Sequence, residues 1–219
     1  MKKVAKIFSM PLAFLYLFVS TISCTTNDVS KENKLLLDSA KNNSKKAVSL
    51  FIEINNNLSA RNEYSRTGLT QEIIDEYLVN AGFQAGSVTL ETINAITTEI
   101  GEKEGMTFEE KIDLMSFSDL VKSKLLQMKE SGYIENLESQ TDFQNLLITE
   151  KEFLLNANEM VNEFSRADFQ DANVPCPGSS CTWGFILVGA SIGAGLCGPW
   201  CGFVGGVLGL IIGVSSKQP

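Results

Sequence analysis

Apolar residues along most of the chain return every three or four positions, the period of an α-helix with one buried face. Leu37, Ala40, Ala47, Phe51, Ile54 and Leu58 form one such stripe, with Ser44 as its polar interruption. Ile73, Ile74, Tyr77, Leu78 and Ala81 form a second within Leu69 to Ala81, and Gly82 stands where a helix would close. Ser87 to Ile100 places Leu90, Ile93, Ile96 and Ile100 on one side. Thr107-Phe108-Glu109-Glu110 has the form of a capping box, in which Thr and Glu satisfy orphan backbone N–H groups. The helix it opens runs through Ile112, Met115, Leu120, Leu125 and Met128 to Gly132, with a break expected at Ser116 to Ser118. A last long helix carries Phe143, Leu146, Leu147, Phe153, Leu154, Ala157, Met160 and Phe164. No proline lies between Pro11 and Pro175, which suits long helices. The pattern predicts an all-α fold, with a helical bundle over residues 35–172 and a linker over 24–34.

After that bundle the pattern changes. From Ala172 to Ser216 there is no charged residue, and this stretch holds four of the five cysteines, both tryptophans and 11 of the 17 glycines. Trp183 to Val214 as one helix would span about 48 Å, more than the roughly 30 Å hydrocarbon core of a bilayer. Pro199 divides it into halves of about 15 residues, each roughly 22 Å and short for a span. The segment 173–219 is therefore expected to be a Gly-rich hydrophobic helical hairpin or a kinked helix. Gly198, Gly202 and Gly206 form one row of small residues at four-residue spacing, and Gly205, Gly209 and Gly213 form another. Gly189 and Gly193 repeat the spacing before the proline. Such rows let helix backbones touch in lipid and are candidates for self-association. Ten glycines in Trp183 to Val214, at about 1 kcal/mol each relative to Ala, disfavour an isolated helix in water by roughly 10 kcal/mol. The segment needs lipid or a groove in the bundle to be ordered. With Trp183, Pro199 and Trp200, these glycines are the candidate membrane-contact and helix-packing residues.

Charge separates the same two parts. The chain carries a formal net charge of −8, and residues 24–172 hold all 26 Asp and Glu against 14 Lys and Arg. An acidic body argues against nucleic acid, whose affinity comes mainly from Lys and Arg on phosphates. The absence of histidine removes the commonest general base and metal ligand.

Met1 to Lys6 carries three lysines and is followed by an apolar run to Ile22, the form of a secretory signal over residues 1–23. The run ends in Thr21-Ile22-Ser23-Cys24, which resembles a bacterial lipobox, with Thr21 in place of the usual Leu. The resemblance implies cleavage before Cys24, lipidation of its sulfur and anchoring in the cell envelope. Lipidating Cys24 also leaves an even number of cysteines.

Three pairs of neighbouring carboxylates stand out in the body: Asp75 and Glu76, Glu109 and Glu110, Glu150 and Glu152. Each flanks an apolar stripe, where charged residues solvate the outer face, and no apolar pocket to split their pKa values is visible. No phosphate loop, calcium loop or nucleophile elbow appears, so no cofactor, metal or catalytic residue is expected. The four tail cysteines, Cys176, Cys181, Cys197 and Cys201, admit a zinc site, a redox pair or two disulfides. Zinc sits poorly with export and an apolar setting. Cys197-Gly198-Pro199-Trp200-Cys201 is one residue too long for Cys-x-x-Cys chemistry. Disulfides are favoured, with three connectivities open and cross-pairing between the two cysteine pairs leaned toward, since it would tie the tail into a hairpin.

The uncharged Cys- and Gly-rich tail resembles the mature segments of bacteriocins, of the halocin type and class II. It departs from them in lacking positive charge and a double-glycine leader. The resemblance implies insertion into the envelope of competing cells. An acidic helical cover over a hydrophobic hairpin is also similar to colicin-type pore formers. The expected function is non-enzymatic envelope permeabilisation by an exported lipoprotein whose partner is the lipid bilayer. The alternative is a surface lipoprotein whose body binds a protein partner, with the tail as a second anchor or a buried core hairpin.

Overall fold

Hydroxyl side chains start most of the body helices. Thr70, Thr89, Thr107 and Ser118 each precede an apolar stripe, and each side-chain oxygen accepts from the backbone N–H three residues on, at 3.2 to 3.5 Å. That contact satisfies one of the donors a helix start leaves open. At Thr107 the box is complete, since Glu110 reaches back to the Thr107 N–H at 2.7 Å.

The computed structural model describes residues 31–54, 70–103, 105–167 and 180–215, of which 180–183, 197, 199–200 and 210–215 are described through their backbone alone. We label the helices α1 (31–54), α2 (Gln71–Asn80), α3 (Leu90–Glu102), α4 (Phe108–Asp113) and α5 (Asp119–Ser131). After a 3-10 turn at Leu137–Ser139 follow α6 (Thr141–Gln144), α7 (Ile148–Arg166), α8 (Ser180–Cys197) and α9 (Pro199–Ser215). All regular structure among the described residues is helical, so the all-α class holds.

Boundaries differ from the sequence pattern in two places and agree with it in one. Residues 31–34, assigned by pattern to the linker, are already helical, and Asn33 is buried with its amide donating to Gln144 Oε1 at 2.8 Å. The helix opened by Thr107 stops at Asp113, and Ser118 starts the next, at the expected break. The stripe from Phe143 to Phe164 is two helices rather than one. Leu147 is extended and 70% exposed between them, because the chain turns at Asn145 before α7 begins.

α7 is the axis of the fold. Every residue from Phe153 to Val161 is buried, on polar and apolar faces alike. One continuous apolar cluster surrounds it. Phe51 of α1, Leu78 of α2, Leu125 of α5 and Leu154 of α7 belong to it, and so do Ile186 of α8 and Phe203 of α9. Phe51 meets Phe164 edge-on at 5.8 Å, and Phe117 stacks on Phe153 at 4.5 Å. α8 packs on α3, α4, α5 and α7, while α9 packs on α3 and α7. The charge-free segment therefore lies against the body and shares its core.

Candidate functional site

The glycines set the geometry of α8 and α9. A Cβ on Gly189 would overlap the Gly205 carbonyl oxygen, one on Gly193 the Cys201 carbonyl, and one on Gly209 the Phe185 carbonyl. Residues 185, 189 and 193 thus lie opposite 209, 205 and 201, an antiparallel register held along the pair. Two backbones in direct contact leave no room for side chains, which is why glycine occupies these positions. Gly202 faces Ala190 and Ala194, and Gly206 faces Met160 of α7. Of the two glycine rows, every described member except Gly198, where a Cβ would meet nothing within 4 Å, is thus occupied within the chain.

Gly198 makes the turn between the two helices. Its φ of +85° lies in the left-handed region that side chains disfavour, and its N–H donates to the Ala194 carbonyl at 3.0 Å. Pro199 follows as the first residue of α9, where its missing N–H has no helical partner to lose. At about 1.5 Å per residue, α8 and α9 are about 27 and 26 Å long. Among the described residues no helix is long and apolar enough to cross a membrane.

Cys201 is buried and disulfide-bonded. The antiparallel register excludes the cross-pairing favoured on sequence. Cys201 lies opposite Gly193, about 18 Å along α8 from Cys181, and Cys197 lies about 24 Å from Cys181 on the same helix. A disulfide joins Cα atoms about 4.4 to 6.8 Å apart. Each crossed connectivity needs Cys181 to reach Cys197 or Cys201, and a continuous α8 keeps it from both. Trp183, Trp200, Cys181, Cys197 and Gly213 lie on α8 or α9 at positions described by backbone alone, and Cys24 and Cys176 lie outside the described residues.

Four of the six carboxylates singled out by sequence have structural work. Asp75 Oδ1 accepts from Gln71 Nε2 and from the Gly86 N–H, both at 2.9 Å, holding the loop after α2. Glu109 pairs with Lys129 at 2.7 Å, and that ammonium holds its carboxyl below the usual range. Glu110 closes the capping box, and Glu150 accepts from the Ser118 N–H at 2.9 Å, adding to the cap of α5.

The polar feature that sequence reasoning missed is on α7. Asn156, Asn158, Glu159 and Asn162 are all buried. Asn158 donates to the Ile134 carbonyl at 2.9 Å and accepts from the Ile134 N–H at 2.8 Å, pinning the chain between α5 and the 3-10 turn. Glu159 is fully buried; Oε2 accepts from Asn162 at 3.2 Å, while Oε1 has no partner among the described residues. Burial pushes its carboxyl up, against the opposing pull of Asn162, Lys41 and Tyr133, and Glu163 adds to the rise. The signal was present as Asn-x-Asn-Glu-x-x-Asn, but a polar face reads as solvated until a further layer is known to cover it.

Among the described residues no cluster of three or more His, Cys, Asp or Glu converges as a metal site would. No family model matches the chain, and neither a curated protein nor a solved structure matches it.

Proposed function

We propose that this chain is an exported, envelope-anchored lipoprotein that keeps a charge-free helical pair inside an acidic helical body and delivers that pair to a lipid bilayer, permeabilising it without catalysis. The observation that carries the reading is the backbone contact of Gly189 with Gly205, inside a pair that the body covers. Contact of this kind does not depend on water. The two helices can keep their mutual packing in lipid, where small-residue interfaces associate well, and exchange only their outer contacts. Lengths of about 27 and 26 Å suit a wedge that thins the bilayer more than a relaxed span. The tail disulfides are then local, Cys176 with Cys181 and Cys197 with Cys201, the latter bracing the turn at Gly198 and Pro199.

A second reading has its own support. Ile186, Leu187, Phe203 and Val204 belong to the same buried cluster as Phe51 and Leu154. The pair would then be a permanent core, and the body a surface module for a protein partner.

Both tryptophans of the chain lie on the pair, so their fluorescence reports on it alone. The oxidised chain from Cys24 onward, mixed with dye-loaded vesicles containing brominated lipid, should release dye as the tryptophans are quenched. Folded protein that neither quenches nor leaks supports the permanent core and ends the membrane reading.

A further inference from the structure

Beside the glycine pair lies a cavity of about 400 Å³, between the end of α3, the link from α4 to α5 and the last turns of α8. Its size falls in the range of small-molecule sites. Ser191 and Gly195, one helical turn apart on α8, both line it. A Cβ on Gly195 would meet nothing within 4 Å, so this face of α8 looks into open space at its exposed end. At the other end Ser191 is fully buried, and its hydroxyl has no hydrogen-bond partner among the described residues. A buried hydroxyl left unpaired is costly, and a ligand that supplies the partner recovers that cost.

The remaining lining defines what fits. Met115, Phe117 and Ile192 give apolar walls, and the stack of Phe117 on Phe153 fixes its ring. At the rim Lys103 and Glu99 close on each other as an ion pair, which leaves no net charge to attract an ionic head. Leu114 and Leu196, 61% and 48% exposed, extend the apolar surface outward. The geometry points to a binding site for a neutral, single-chain amphiphile that places a hydroxyl against Ser191 and runs its hydrocarbon out past Gly195. A hydroxyl suits Ser191 because each group can donate or accept. The site is separate from the glycine contact and stands whichever reading of the pair is correct.

The test titrates 1-octanol into the full exported chain and follows the backbone amides by NMR. Saturable shifts centred on Ser191, Gly195 and Phe117 are expected. Gly195→Leu projects its side chain into the empty space; it should stay folded, by circular dichroism and unfolding temperature, and lose the saturable shifts. Ser191→Ala keeps the cavity and should weaken binding roughly three- to tenfold, the worth of one hydrogen bond. No saturable shift in the wild type, or equal binding by folded Gly195→Leu, overturns the site. Equal binding by Ser191→Ala overturns the assignment of the hydroxyl.

Discussion

Gly189 and Gly205 meet backbone to backbone, each placed so that a Cβ on one would overlap the carbonyl oxygen of the other. The contact joins α8 to α9 at mid-length and fixes their separation. An added methyl group can be accommodated only if the helices part.

A graded set of alanine substitutions follows. Gly189→Ala or Gly205→Ala should destabilise the protein by about 2 kcal/mol or more, since overpacking against backbone outweighs the better helix propensity of Ala. Gly206→Ala meets the end of the Met160 side chain, which can move, and should cost less. Gly195→Ala meets nothing and should stabilise by up to about 1 kcal/mol. Urea midpoints rank the four, and equal effects at Gly189 and Gly195 would mean the register is wrong.

Asn158→Ala should cost about 3 kcal/mol, because it leaves both the N–H and the carbonyl of Ile134 buried without partners. Hydrogen exchange at the Ile134 amide should speed up with it. Asn158→Asp keeps the acceptor but sets a carboxylate against the Ile134 carbonyl, so it should rescue little.

Glu159 makes stability depend on pH in a defined direction. With its folded pKa raised above the ordinary 4.5, the folded state holds the proton more tightly than the unfolded chain. Its contribution is complete below the ordinary value and is lost as pH rises through the raised one. Glu109 and Asp142, lowered by Lys129 and Lys124, work in the opposite sense but are common to wild type and variant. The stability of Glu159→Gln relative to wild type should therefore rise as pH is raised above the ordinary value of 4.5. A difference that stays flat above that value would show that Glu159 does not titrate there.

Thr107→Ala should cost about 1 kcal/mol, and Thr107→Ser should recover most of it, since only the hydroxyl is used. The six-residue α4 packs on α8, so the loss should appear in both helical content and the unfolding midpoint.

The sequence by itself determined most of the helices and the capped starts of α4 and α5, though not the start of α1 or the division of α6 from α7. Apolar spacing and hydroxyl caps are local features, and the box at Thr107 and Glu110 and the break before Ser118 could be read without any partner element. It also marked Pro199 as the dividing point of the charge-free segment, because a residue without an N–H interrupts a helix wherever it stands. What only the tertiary structure decided is which faces meet. Asn158 and Glu159 look like a solvated face of α7 until neighbouring helices cover them. The glycine rows are equally suited to a second copy, a lipid neighbour or the chain's own next helix, and only the fold sets Gly189 on Gly205. The same register separates Cys181 from Cys201, a distance no spacing of cysteines along the chain reveals. Local propensity depends on a few consecutive residues, whereas burial and register depend on residues the chain brings together from far apart.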